Sequence, residues 1–108
     1  MKILLKGRPA SPGKIRGRVR LIQKDHNIFN LEIEDGEILV VPFIAPFHFP
    51  LILKAGAIVT DHGGVTSHAA TIARELGIPC IVATERATEI MKDGTEVIVD
   101  GDKGIVYQ

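Results

Sequence analysis

One cysteine, one tyrosine, four phenylalanines and no tryptophan are all this 108-residue chain has of the residues that staple or anchor a small fold. A single thiol excludes an intrachain disulfide and a cysteine-rich zinc site. Cys80 lies in the apolar run 78–83, the setting of a buried, inert thiol. No apolar run approaches about 20 residues, which excludes a transmembrane helix. The N-terminus has no apolar signal-peptide core, which points to the cytoplasm. There is no net charge either: 13 basic residues balance 13 acidic ones. With 45% hydrophobic and 24% charged residues, the composition is that of an ordinary soluble protein. The length fits one domain, expected to span residues 1–108 and to bury roughly over half of its unfolded surface.

Charge is absent overall but segregated. Residues 1–24 hold eight basic residues and no acid, and residues 25–37 hold five acids and no base. Arg16, Arg18 and Arg20 alternate with other residues, the pattern of a strand with one wet face. A solvated sheet face explains the basic block, as does a docking surface for a nucleotide-binding partner. Nucleic-acid binding is the weakest explanation.

The chain has no repeat, linker or low-complexity stretch. Strands are expected over 3–6, 14–23, 37–41, 57–60, 80–83, 96–99 and 104–107, the last two forming a hairpin around Asp100-Gly101. Ser11-Pro12-Gly13 reads as a turn. Pro42, Pro46 and Pro50 break the middle of the chain into loop, with a short helix over 50–55. The main helix is expected over 67–76. Thr66 or Ser67 is its N-cap, Ala69, Ile72, Ala73 and Leu76 its apolar stripe, and Gly77 with Pro79 its stop. A second short helix is expected from 84 or 85 to 91. The result is a sheet-rich α/β domain whose helices cover part of the sheet.

The run Thr60-Asp61-His62-Gly63-Gly64-Val65-Thr66-Ser67-His68-Ala69-Ala70 carries the chemistry. It sets a histidine between a glycine pair and a helix N-terminus. Unpaired N–H groups and the positive end of the helix dipole make such a terminus a seat for phosphate. Gly63 and Gly64 allow close approach of a ligand and an anion nest of backbone N–H groups. Thr66 and Ser67 add hydroxyls. The same positive end disfavours an imidazolium, which keeps the ring neutral and nucleophilic. Helical spacing puts His68 at the flank of the apolar stripe, beside Thr71 and Glu75. These features point to phosphoryl transfer through a phosphohistidine at His68. A surface histidine beside an ordinary capped helix is the plainer alternative. Metal binding through Asp61, His62 and His68 has little support, because His62 and His68 straddle the turn and no cysteine pair assists them. His26 and His48 carry no motif. Phe47 and Phe49 read as core packing rather than as a docking hook.

The run AIVTDHGGVTSHAATIARELGIPCIVA, residues 57–83, closely resembles the mobile, or swivelling, phosphohistidine domain of enzymes that use phosphoenolpyruvate, such as pyruvate phosphate dikinase and phosphoenolpyruvate synthase. Pro9-Ala10-Ser11-Pro12-Gly13, Gly17-Arg18-Val19, Glu37-Ile38-Leu39-Val40-Val41-Pro42, Ala87-Thr88-Glu89 and the run 93–107 extend the likeness over nearly the whole chain. The resemblance implies the swivelling β/β/α fold and phosphorylation of His68. It implies support of the phosphoryl group by Gly63, Gly64, Thr66 and Ser67, and it makes Thr66 a regulatory phosphorylation candidate. It implies partners as well: an ATP-binding domain and a TIM-barrel domain for phosphoenolpyruvate and pyruvate, with ATP and Mg²⁺ bound there rather than here, and neither nucleic acid nor membrane. Turnover by this domain alone is not expected. Two departures stand out: Ala83 replaces a frequent glycine, and Phe47-His48 replaces a stretch that often carries an aspartate. A non-catalytic regulatory module of the same fold, or the small swivelling subunit of an aconitase-like hydro-lyase, are the rival readings.

Overall fold

The computed structural model describes residues 1–23 and 32–108. Its strands are β1 (Ile3–Lys6), β2 (Arg8–Ser11), β3 (Lys14–Leu21), β4 (Ile38–Val41), β5 (Ala57–Thr60), β6 (Cys80–Val82), β7 (Glu96–Asp100) and β8 (Ile105–Tyr107). A 3-10 turn over Pro46–His48 leads into α1 (Phe49–Ile52); α2 (His68–Leu76) and α3 (Ala87–Ile90) follow. The eight strands lie in the order β1-β8-β7-β3-β4-β5-β6-β2. β3 through β6 are mutually parallel, and every other pair is antiparallel.

β3 is the strand that makes this a layered molecule. Its first half, Lys14 to Arg18, pairs with β7, and its end, Val19 to Leu21, pairs with β4. It thus passes from an antiparallel layer to a mostly parallel one. Between these layers pack Val19, Ile38, Val40, Ala57, Val59, Ile81, Val97, Val99 and Val106, with Ala87 and Met91 at one end. Alternate residues of the parallel strands, among them Leu39, Val41, Ile58, Cys80 and Val82, face the other way, against Ile52 of α1 and Ala69, Ala70, Ile72 and Ala73 of α2. β4, β5 and β6 are therefore buried on both faces, as parallel strands between covering layers must be. The architecture is β/β/α, the expected one.

α2 has the caps its sequence specifies. Ser67 is the N-cap, its Oγ accepting a hydrogen bond from the Ala70 N–H at 3.4 Å. Gly77 closes the helix in the left-handed region at φ 73°. Leu76, expected in the buried stripe, is exposed, and Ala70 is buried in its place. β2 was not among the expected strands. Pro9 lies inside it, a residue that cannot donate to a ladder, and β2 is accordingly an edge strand. Pairing with β6, rather than any local signal, makes it a strand. α3 is shorter than expected. Cys80 is buried, as read, and burial pushes its thiol up to about 12.

The outer face of β3 is the solvated one. Lys14, Arg16 and Arg18 are exposed, Arg16 lies 3.6 Å from Glu96, and Arg20 bonds Glu37 at 3.3 Å. No helix of the described residues is long and apolar enough to cross a membrane. His26 lies outside the described residues.

Candidate functional site

The parallel strands end side by side, and their carboxyl ends are where ligands gather in open α/β sheets. β4 delivers Pro42, β5 delivers Asp61 and His62, and β6 delivers Ala83 to Glu85. Backbone bonds tie these exits together. The Asp61 N–H donates to the Val41 carbonyl at 3.3 Å, and the His62 N–H to the Pro42 carbonyl at 3.0 Å. On the other side the N–H groups of Thr84 and Glu85 donate to the carbonyls of Thr60 and Asp61 at 3.2 and 2.9 Å.

Side chains complete the tie. Thr60 donates its hydroxyl to the His62 carbonyl at 2.7 Å, and Thr84 donates to the Thr60 carbonyl at 2.9 Å. The buried Asp61 carboxylate accepts the Thr88 N–H at 2.8 Å and the Thr88 hydroxyl at 2.5 Å. Asp61 therefore fastens the first turn of α3 to the base of the glycine loop. Its oxygens are committed there, and among the described residues no group of three or more metal-binding side chains gathers. Thr60 and Thr88 lie in runs the sequence singles out and Thr84 does not, but nothing in it marks any of the three as a tie within the site. Their placement follows from strand pairing, which single-sequence spacing does not show.

The loop then turns through Gly63, at φ 116°, where a Cβ would lie 3.2 Å from both Cβ and Oγ of Ser67. A side chain is strained there by the positive φ and crowded by Ser67, which would have to give by a few tenths of an ångström. Gly64 differs: a Cβ there would meet nothing within 4 Å. Its bareness serves no packing need and leaves open space over the loop. The Gly64 carbonyl accepts the Ser67 N–H at 2.9 Å, closing a turn directly into the cap of α2.

His68 is the first residue of α2 and is exposed, with Thr71 and Glu75 exposed on the same side. Among the described residues its imidazole has no hydrogen-bond partner. Thr66 is exposed and its hydroxyl is likewise unpartnered. Ser67 accepts one bond as the cap and retains its O–H to donate. The backbone N–H of Thr71 is taken by the Ser67 carbonyl at 3.0 Å. The N–H groups of His68 and Ala69 have no partner among the described residues. Gly63, Gly64, Thr66, Ser67 and His68 thus form one continuous stretch, a glycine loop running into the start of α2 with an imidazole at its end. His62, exposed on the far side of the turn, and the committed Asp61 are not joined to it as a ligand set.

The Phe47–Phe49 segment corrects the packing expectation. His48 is the buried member, its Nδ1 accepting the Ala45 N–H at 2.9 Å, while both phenylalanines are exposed. A short 3-10 turn presents adjacent residues to different sides, so one of the three goes in and two go out.

Fold and loop together define a swivelling-type β/β/α domain with an exposed histidine at a helix start. Residues 33–104 match the family model described as the PEP-utilising enzyme, mobile domain, and the chain belongs to that family. It is 50% identical over 107 residues to the probable phosphoenolpyruvate synthases of Staphylothermus marinus and of Archaeoglobus fulgidus. Those matches cover 99% of this chain but 13% and 14% of the relatives, which are much longer proteins. Among solved structures, the NMR structure of Enzyme I (nEIt) is similar over 75% of this chain and 33% of that one, with 35% identity and a TM-score of 0.61. The holo-form of Thermococcus kodakaraensis aconitase X is similar over 95% of both chains, with 25% identity and a TM-score of 0.69.

Proposed function

We propose that this domain is a phosphoryl carrier, transiently phosphorylated on His68. The observation that carries the reading is the exposed imidazole at the first position of α2, without a partner among the described residues, beside the Thr66 and Ser67 hydroxyls and the N–H groups of His68 and Ala69, likewise unpaired there. A ring nitrogen attacks phosphorus, the P–N bond forms, and the donor's P–O bond breaks with its electron pair leaving on oxygen. The second ring nitrogen gives up its proton to solvent. The reverse sequence passes the group to an acceptor. The loop around Gly64, with the Thr66 and Ser67 hydroxyls, holds the phosphoryl oxygens while the helix start offsets their charge. Phosphoryl transfer is largely positioning and charge stabilisation, and this chain supplies the carrier and its seat. A nucleotide-binding partner and a phosphoenolpyruvate/pyruvate-type partner supply ATP, Mg²⁺ and the substrate clamps. Phosphorylation of Thr66, whose free hydroxyl stands two residues before His68, would put a second phosphate against the seat and block it.

The test is direct. Wild type and His68→Ala are incubated with labelled phosphoenolpyruvate, Mg²⁺ and source-cell extract, then re-isolated at alkaline pH. Acid-labile phosphate is expected on the wild type alone, and its persistence on the variant would sink the assignment. The near full-length likeness to an aconitase X chain favours a second reading, the small swivelling subunit of a hydro-lyase. That subunit would complete its partner's dehydration site without being phosphorylated, and His68→Ala would leave it active.

A further inference from the structure

A cavity of about 250 Å³ opens between the start of β1, the end of α3 and the start of β7. None of its lining residues belongs to the carrier loop, residues 63–68. Its floor is apolar: Met91 and Val97 are buried there, with Leu4 and Ile90 half-buried beside them. A methionine in such a floor adapts its shape to a guest. The polar side is formed by Lys2, Lys92 and Thr95.

Charge is one-sided at this place. No acidic side chain lines the cavity. The acids nearest to Lys92 in sequence are engaged elsewhere: Glu89 with Arg86 at 3.2 Å, Asp93 with the Leu21 N–H at 2.7 Å, and Glu96 with Arg16 at 3.6 Å. Lys2 and Lys92 have no ion-pair partner among the described residues, and the Thr95 hydroxyl has no hydrogen bond there. The rim is nevertheless fixed by backbone bonds. The Lys2 N–H donates to the Gln108 carbonyl at 2.8 Å, the Gln108 N–H to the Lys2 carbonyl at 2.9 Å, and the Thr95 N–H to the Lys92 carbonyl at 3.2 Å. A rim set in advance loses little entropy when a ligand binds.

Size and chemistry bound the guest. Liquid water takes about 30 Å³ per molecule, so a cavity of about 250 Å³ holds a small molecule and neither a peptide nor a lipid. A bare anion such as phosphate would leave the apolar floor wet, and a hydrocarbon would leave the two ammonium groups unanswered. We infer that the cavity binds a small monocarboxylate with a short apolar tail, the tail on Met91 and Val97 and the carboxylate against Lys2 and Lys92. The site is independent of the carrier reading.

The probe is 4-methylpentanoate, ionised at pH 7, followed through the backbone amide NMR signals of the chain. Saturable shifts centred on Leu4, Met91, Thr95 and Val97 are expected, half-complete at about millimolar probe. The double variant Lys2→Gln/Lys92→Gln is expected to bind about tenfold more weakly, and high salt to weaken binding to the wild type. Lys6→Gln/Lys103→Gln removes the same charge from exposed lysines outside the cavity and is expected to bind as the wild type does. The uncharged isostere 4-methylpentanamide is expected to bind at least fivefold more weakly than the carboxylate. A second readout separates the cavity from the helix start at His68, where an anion could also settle. Phosphoramidate phosphorylates an exposed imidazole without any protein partner: the P–N bond to ammonia breaks as the bond to the ring forms. Its labelling of His68 is expected to run at the same rate with the cavity saturated. Absence of saturable shifts, equal affinity for the amide, or equal weakening by the two double variants overturns the site. So does slower labelling in the presence of the carboxylate, which assigns the anion to the carrier loop.

Discussion

Gly63 and Gly64 are adjacent and chemically identical, yet the fold uses them for different ends. At Gly63 the backbone, at φ 116°, strains any side chain, and Ser67 crowds a Cβ at 3.2 Å. At Gly64 neither applies. Gly63→Ala is expected to destabilise the domain by about 1–3 kcal/mol, the range for a residue held in a strained conformation. Gly64→Ala is expected to leave stability within about 0.5 kcal/mol and, if the proposed phosphate seat is correct, to slow phosphoramidate labelling of His68 about tenfold, because its methyl would enter that seat. Thermal denaturation and the labelling rate, read on both variants, check the pair. Equal effects on stability would show that Gly64 is structural too. The motif made both glycines visible in the sequence, but only the torsion angles divide their roles. The same holds at Ala83, where a residue standing in place of a frequent glycine lies at φ 55°. Left-handed backbone explains the glycine, and Ala83 carries the steric cost of roughly 1–2 kcal/mol.

At the scale of single elements, legibility tracked how local the cause was. α2 was readable to within a residue because its caps and stripe are written in consecutive positions. β5 and β1 were equally plain. β2 and the Asp61–Thr88 link were not, since each exists only through a partner more than 20 residues away. The 3-10 turn before α1 was hidden for a further reason: three adjacent residues, Phe47, His48 and Phe49, divide between solvent and core, and hydrophobicity alone assigned the wrong two to the interior. His48, the buried one, makes that turn sensitive to pH. Burial lowers its pKa from the ordinary value of 6.5, and its Nδ1 must stay unprotonated to accept the Ala45 N–H. A base whose folded pKa is depressed binds its proton more readily when unfolded. Its stabilising share is therefore complete above 6.5 and is lost as the pH falls from there toward the folded value. His48→Asn keeps an acceptor for Ala45 but cannot titrate. Denaturation midpoints measured from pH 7.5 down to 5 are expected to fall more steeply for the wild type than for this variant. Parallel curves would place the pH dependence elsewhere.

Across the whole molecule, the first and last strands of the eight-stranded order are joined by one residue. β1 ends at Lys6, β2 begins at Arg8, and these strands stand at opposite ends of the order. The sheet must therefore curl until its two edges meet at Gly7. That residue donates its N–H to the Gly104 carbonyl at 2.8 Å, and a Cβ on it would lie 2.6 Å from the Val82 carbonyl oxygen and 2.7 Å from side chains of Ile81 and Thr84. The backbone at Gly7 approaches β6 too closely for any side chain. Val82 leads through Ala83 into Thr84, whose N–H and hydroxyl hold the Thr60 carbonyl at the base of the glycine loop, so the seam and the site share a wall. Gly7→Ala is expected to cost about 2–4 kcal/mol, the upper range for overpacking against backbone that cannot yield. For a domain of this size that lowers the melting temperature by about 10–20 °C. Because the seam is common to both layers, hydrogen exchange is expected to accelerate together in β1 and β8 on one side and in β2 and β6 on the other. Loss of protection confined to one of these pairs would mean that the edges meet without supporting each other, and that the carrier loop draws its rigidity from the threonine and Asp61 ties alone.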